Sequence, residues 1–178
     1  MIHKRLAFLF TAILLAIGVN AQKFAYVDSE YILQNIPEYN DALAQIDEFA
    51  AQWQQELEAK FAAIDKMYKD YQAEAVLLPE EMKRKREDEI MKAEKAAKDL
   101  QKQRFGKDGD LFKKRQELVK PIQDKIYTAI EKIAQAKNYA MIFDKAGNVT
   151  MMYADAKYDI SDEVLEEMGY SFNTRKNK

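Results

Sequence analysis

No cysteine occurs in the 178-residue sequence, which excludes a disulfide framework, thiol redox chemistry and a cysteine nucleophile. The one histidine is His3, in a segment that reads as a removable leader. The remaining chain therefore offers no imidazole base, no Ser–His pair and no histidine metal ligand, and most hydrolase and zinc-enzyme chemistries fall away with it. Nothing resembles a phosphate-cradling glycine loop. Glycine and proline are scarce, at five and three, and neither interrupts residues 38–78. Beyond the leader, no apolar run is long enough to span a bilayer.

The leader is residues 1–21. Lys4 and Arg5 give a charged start, Leu6 to Ile17 an apolar core, and Val19-Asn20-Ala21 a small-residue cleavage site. An uncleaved anchor is the alternative, but the run is short and wrongly flanked for a span. Cleavage after Ala21 leaves 157 residues with 26 Lys/Arg against 30 Asp/Glu, an exported and slightly acidic chain expected in the periplasm.

What is present in abundance is helical periodicity. Leu43, Ala50, Leu57, Ile64, Tyr71 and Leu78 recur every seven residues, interleaved with Tyr39, Ile46, Trp53 and Met67. Lys60 and Glu74 break that second row, while Phe61, Tyr68 and Ala75 widen the stripe towards residue 78. Such spacing predicts a helix packed along its length on another helix, roughly 60 Å long at about 1.5 Å per residue. Leu78-Pro79 reads as a tight tip. Pro79 suits a first helical position, and Glu80 and Glu81 suit the positive end of the next helix dipole. Residues 38–75 carry three Lys/Arg against nine Asp/Glu, and residues 76–137 carry seventeen against twelve. An acidic rod folded back on a basic one is favoured over like-with-like pairing. The expectation is an antiparallel helical hairpin over residues 37–121.

Pro37 and Pro121 each lie 42 residues from Pro79, so equal rises would bring them level at the root. Pro121 is expected to kink or soften the second arm. By the same mirror count Gly106 and Gly109 fall opposite Trp53 and Phe49, as mid-helix glycines. They either make room for those aromatics or act as a flexure. Pro37, Gly106, Gly109 and Pro121 are the hinge candidates.

Residues 22–36 and 122–172 would form a β-rich body, with 173–178 a frayed tail. Phe24 to Asp28, Tyr139 to Phe143 and Val149 to Tyr153 read as strands, the last two joined by a hairpin turn over 144–148. Ser29 to Asn35 reads as a short helix capped by Asp28 or Ser29. A last helix runs from about Ser161 to Met168, with Asp159 or Ser161 as cap and Gly169 as terminator. The strands are apolar on both faces, as buried strands are. Three short strands cannot bury a sufficient core and leave two edges open, so copies of the chain are expected to join their sheets. Phe24, Tyr26, Val27, Met141, Ile142, Phe143, Val149 and Met151 are the candidate residues of that shared core. Burial alone does not give the stoichiometry.

The layout resembles the Skp/OmpH family of periplasmic chaperones. Phe24-Ala25-Tyr26-Val27-Asp28, Ile36-Pro37, Leu118-Val119-Lys120-Pro121-Ile122-Gln123-Asp124-Lys125 with Ala129-Ile130, and Tyr139 to Asp144 carry the likeness, and Asp159-Ile160-Ser161-Asp162 looks like the close of the family's last motif. The resemblance implies an α+β, mostly α fold: a long helical tentacle on a small β body whose sheet is completed by trimerisation. It also implies an ATP-independent holdase that shields unfolded outer-membrane proteins between the tentacles and needs no cofactor. Family members are strongly basic, whereas this chain has a pI near 5.6 and keeps its basic character in the second arm.

Met82, Lys83, Arg84, Lys85, Arg86 and Met91, just past the tip, are the candidate contacts for clients. Lys83 to Arg86 could also meet anionic lipid or lipopolysaccharide, against the alternative of a solvated helix face partly neutralised by Glu80, Glu81, Glu87, Asp88 and Glu89. Flexible thioethers at Met82 and Met91 suit a promiscuous surface. Asp108 and Asp110 lack the ligand spacing of a calcium loop. Nucleic acid is not expected of an exported acidic chain without a groove-reading motif. The rival to a holdase is an envelope coiled-coil adaptor that tethers one fixed partner; an enzyme lacks a catalytic constellation.

Overall fold

The computed structural model describes residues 22–147 and 150–170. Residues 1–21, the expected leader, together with Asn148, Val149 and residues 171–178, which include the expected tail, lie outside the described residues. The elements in order are β1 (Lys23–Val27), α1 (Ser29–Gln34), α2 (Pro37–Glu74), α3 (Glu80–Phe105), α4 (Asp110–Lys137), β2 (Tyr139–Asp144), a 3-10 turn (Ala156–Tyr158) and α5 (Ser161–Glu167). This is a mostly α, α+β chain. It divides into two compact units, one of residues up to Ile32 and from Thr128 onward, the other Leu33–Tyr127.

In the helical unit, α2 begins at Pro37, whose missing N–H suits a first turn. It packs on α3 through the stripe, with Leu57 and Ile64 buried on one side and Ile90 and Ala97 on the other. Ala42 and Ile46, buried nearer its start, precede Phe49, which already meets Lys114 of α4 (Asp110–Lys137). The helix stops at Glu74, short of the row's last member, Leu78. Leu78 precedes a proline, which disfavours the helical region for it, and the chain needs residues 75–79 to reverse. Pro79 is the N-cap of α3 with ψ 153, one place before the expected first helical position, and its carbonyl accepts Lys83 N–H at 3.0 Å.

The second arm is two helices. The chain leaves the helical path at Gly106 (φ −65, ψ 169) and resumes at Asp110. The glycines therefore lie in a break and not inside a helix, which corrects the mid-helix expectation. Because the break does not rise as helix does, the mirror count slips. Trp53 meets Phe105, close to its expected mate, but Phe49 meets Lys114 five residues beyond the mirror position Gly109. Past the break α4 continues on both sides of Pro121, with Val119, Ile122 and Ile126 buried at alternating spacings of three and four. Asn138, at φ 56, ends that helix in the left-handed region that asparagine tolerates.

In the other unit β1 and β2 pair in parallel, from Phe24 with Met141 to Val27 with Asp144. Parallel strands need a long crossover, and here the crossover contains both arms. The expected third strand is absent: among the described residues, Thr150 to Tyr153 form no ladder, and Met152 and Tyr153 are 95% and 85% exposed. The edge of β2 where the hairpin would have placed it carries no strand among the described residues. One edge of β1 holds β2; at the other, Tyr26 bridges Asp159 and its carbonyl accepts Ile160 N–H at 2.9 Å. Met151 is partly buried in irregular chain.

Side-chain bonds fix this unit. Asp28 Oδ1 caps α1 by accepting Tyr31 N–H at 3.0 Å. Ser29 donates its N–H and Oγ–H to the Asp144 carboxylate at 3.1 and 2.7 Å. Buried Ser161 accepts Asp28 N–H at 2.8 Å and donates to Asp159 Oδ1 at 2.6 Å. Helix α5 ends in a Schellman motif: Tyr170 N–H reaches Leu165 O, Gly169 N–H reaches Glu166 O, and Gly169 sits at φ 86.

Candidate functional site

Where the stripe of α2 faces α3, polar rims close the seam. Tyr68 Oη donates to Glu94 Oε1 at 2.9 Å and Tyr71 Oη donates to Glu87. Each phenol is held above its ordinary pKa, chiefly by that hydrogen bond to a carboxylate. Among the described residues two ion pairs cross between the arms, Arg86–Glu74 at 4.0 Å and Arg104–Glu56 at 3.3 Å. The other ion pairs of this unit run along the second arm or within α2, so the opposite charge of the arms acts mainly as a diffuse field.

The stripe does not use all the large apolar groups. Val76 and Leu77 at the tip are 90% and 85% exposed, and Met91 on α3 is 60% exposed. Phe61, Tyr68 and Met82 are also exposed. Behind the tip Lys83 pairs with Glu80 at 2.9 Å, and Arg86 lies between Glu74 and Glu89. Arg84 and Lys85 make no ion pair among the described residues, and both are exposed. The tip thus joins two bare aliphatic side chains to two unspent cations. Of the candidate contacts, Met82, Arg84, Lys85 and Arg86 are exposed within one or two turns of the tip, Lys83 is half-buried, and Met91 lies further along α3. Val76 and Leu77 are not among the candidate contacts that the sequence offers, because the heptad row runs through to Leu78 and leaves them no separate role. The signal was there: three consecutive apolar residues cannot all face one partner helix.

In the body unit, Ala25, Tyr26 and Val27 are buried, whereas Phe24, Met141 and Phe143 are exposed and Ile142 is intermediate. An open groove of about 920 Å³ runs past Phe24, Tyr26, Tyr139, Phe143 and Met151. Among the described residues no cluster of three or more acidic or histidine side chains could hold a metal ion. Asp110, weighed above as part of a calcium loop, instead bonds Arg104 at 2.8 Å. Among them also, no helix is long and apolar enough to cross a membrane.

Residues 23–168 match the family model described as Outer membrane protein (OmpH-like). The chain belongs to this OmpH-like family. A solved structure of a candidate outer membrane chaperone (OmpH-like) from Caulobacter crescentus has the same fold, with a TM-score of 0.67 at 16% identity, covering 84% of this chain and 85% of that one. A comparison with curated proteins finds no match. The OmpH-like assignment agrees with the motifs that carried the resemblance, which run from β1 to α5. Their acidic and hydroxyl members, Asp28, Asp144, Asp159 and Ser161, are the ones that tie the body unit together.

Proposed function

We propose that this chain is an ATP-independent periplasmic holdase that binds unfolded outer-membrane proteins between helical arms and keeps them from aggregating, with three copies sharing one β body. The observation that carries the reading is the surplus of exposed apolar side chains on paired arms, Val76 and Leu77 foremost. A chaperone that must accept many extended sequences needs shallow, repeated contacts and no closed pocket; several weak contacts on linked arms sum to useful affinity. Arg84 and Lys85 add attraction for acidic client segments, and the tip is where anionic lipid or lipopolysaccharide would meet the chain. No step of this scheme uses a catalytic group or a cofactor.

Light scattering tests it. A urea-unfolded porin-like protein diluted into buffer should aggregate alone and stay in solution with this chain present, while a mass measurement should give a trimer. Failure to protect several unrelated barrel proteins, together with capture of one partner at fixed stoichiometry, would replace the holdase with an adaptor.

A further inference from the structure

The break between α3 and α4 is built with unusual economy. A Cβ on Gly106 would stand 2.3 Å from Lys102 O, and one on Gly109 would stand 2.7 Å from Gln103 O and 2.9 Å from Gly106 N. These are backbone atoms that cannot swing aside, so this path of the chain needs glycine at both positions. Through the break the helical ladder is interrupted, and bending there does not have to break a run of helical hydrogen bonds.

The side-chain bonds that span it converge on one oxygen. Arg104 Nη1 lies 2.8 Å from Asp110 Oδ2, and Gln103 Nε2 lies 3.3 Å from the same atom. The same guanidinium reaches Glu56 Oε2 on α2 at 3.3 Å and covers Trp53, 4.9 Å from the ring centroid. Trp53 stacks on Phe49 with centroids 5.6 Å apart and meets the edge of Phe105 at 6.5 Å. Arg104 thereby links three helices while its side chain is only 24% exposed. This engagement leaves a defect, because Arg104 Nε is buried with no acceptor among the described residues. An unsatisfied buried donor offsets part of what the ion pairs contribute, and withdrawing the guanidinium into water removes that penalty.

We propose that residues 106–109 are a joint in the second arm and that Arg104 is its pin, so that release of Arg104 from Asp110 lets α3 and α4 bend and uncovers the Trp53 face. An apolar side chain of a bound unfolded polypeptide then takes the place of the guanidinium on that ring; this last step alone rests on the holdase reading.

The absence of cysteine makes the test direct. Lys98→Cys with Gln116→Cys places one spin-label pair across the joint of each chain, read with labelled chain diluted into an excess of unlabelled chain so that distances between copies drop out. Its distance distribution should be narrow in the parent and should broaden or shift with Arg104→Met, and also with Asp110→Asn or Glu56→Gln, which keep the arginine. If Arg104→Met loses helical signal, the two carboxylate variants decide. An unchanged distribution in them overturns the joint. A broadened one supports it whether or not the scattering assay shows protection. Trp53, the only tryptophan, reads the second step. Adding a urea-unfolded porin-like protein whose own tryptophans are replaced by phenylalanine should shift the Trp53 emission and broaden the label distances, and such a client held in solution without either change overturns the exchange at Trp53.

Discussion

Buried Ser161 stands between the end of β1 and the start of α5, taking Asp28 N–H and giving its own proton to Asp159. Ser161→Ala leaves a part-buried backbone donor without its acceptor, and the expected cost is about 1–3 kcal/mol, read as a lower midpoint in urea unfolding. The surface variant Glu166→Gln should leave that midpoint in place. The capping role of Asp28 was legible, because a cap acts three residues away. The clasp between Ser29 and Asp144 was not, since those residues are 115 apart and nothing local pairs them. Two other polar contacts predict a pH effect. Tyr68 and Tyr71 are held above their ordinary value of 10.0 by Glu94 and Glu87. A phenol whose value rises on folding favours the folded state fully below about pH 10 and loses that contribution as pH climbs through the raised value. In difference titration at 295 nm, parent minus Tyr68→Phe/Tyr71→Phe, the missing pair should titrate above pH 10.0; a midpoint at or below it would show that the seam bonds do not persist in solution.

The element most open to sequence reasoning was α2, whose apolar period is unbroken by glycine or proline and whose packing against α3 follows the stripe. Its end was less legible. A period continues arithmetically through Leu78, while the chain must obey the restriction that Pro79 places on the residue before it. The break at Gly106 escaped for a related reason: a glycine in a helical pattern signals only lost propensity, and the close backbone approach that requires it exists only once the chain is folded. The same error at the tip hid Val76 and Leu77, and they give the sharpest prediction for this element. Val76→Ser/Leu77→Ser removes apolar groups that are already in water, so stability should stay within roughly 0.5 kcal/mol of the parent. Protection of a diluted porin-like protein should nevertheless fall, with more scattering at equal chaperone concentration. Equal protection by the double variant would move client contact away from the tip.

For the whole molecule, the two-stranded sheet is the feature that a single copy explains least. A pair of short strands is marginal alone, and the body leaves Phe24, Met141 and Phe143 in water beside an open groove. If copies cover these residues, Phe143→Asp should lower the assembly mass to that of one chain, whereas Phe61→Asp, on the arm, should not. Charge belongs to this scale too. The chain is net acidic, yet Arg84 and Lys85, which make no ion pair among the described residues, stand on a second arm that carries seventeen Lys/Arg against twelve Asp/Glu from residue 76 to 137. Attraction to a client must then come from this local field and not from overall charge, and exposed charges further apart than the Debye length, about 10 Å at 0.1 M salt, are largely screened. Affinity for an unfolded client should fall as salt rises from low to physiological ionic strength, and Arg84→Gln/Lys85→Gln should flatten that dependence while leaving the salt-independent part to Val76 and Leu77. An affinity indifferent to salt in the parent would assign client binding to apolar contact alone, and the basic arm would then serve only to hold its acidic neighbour.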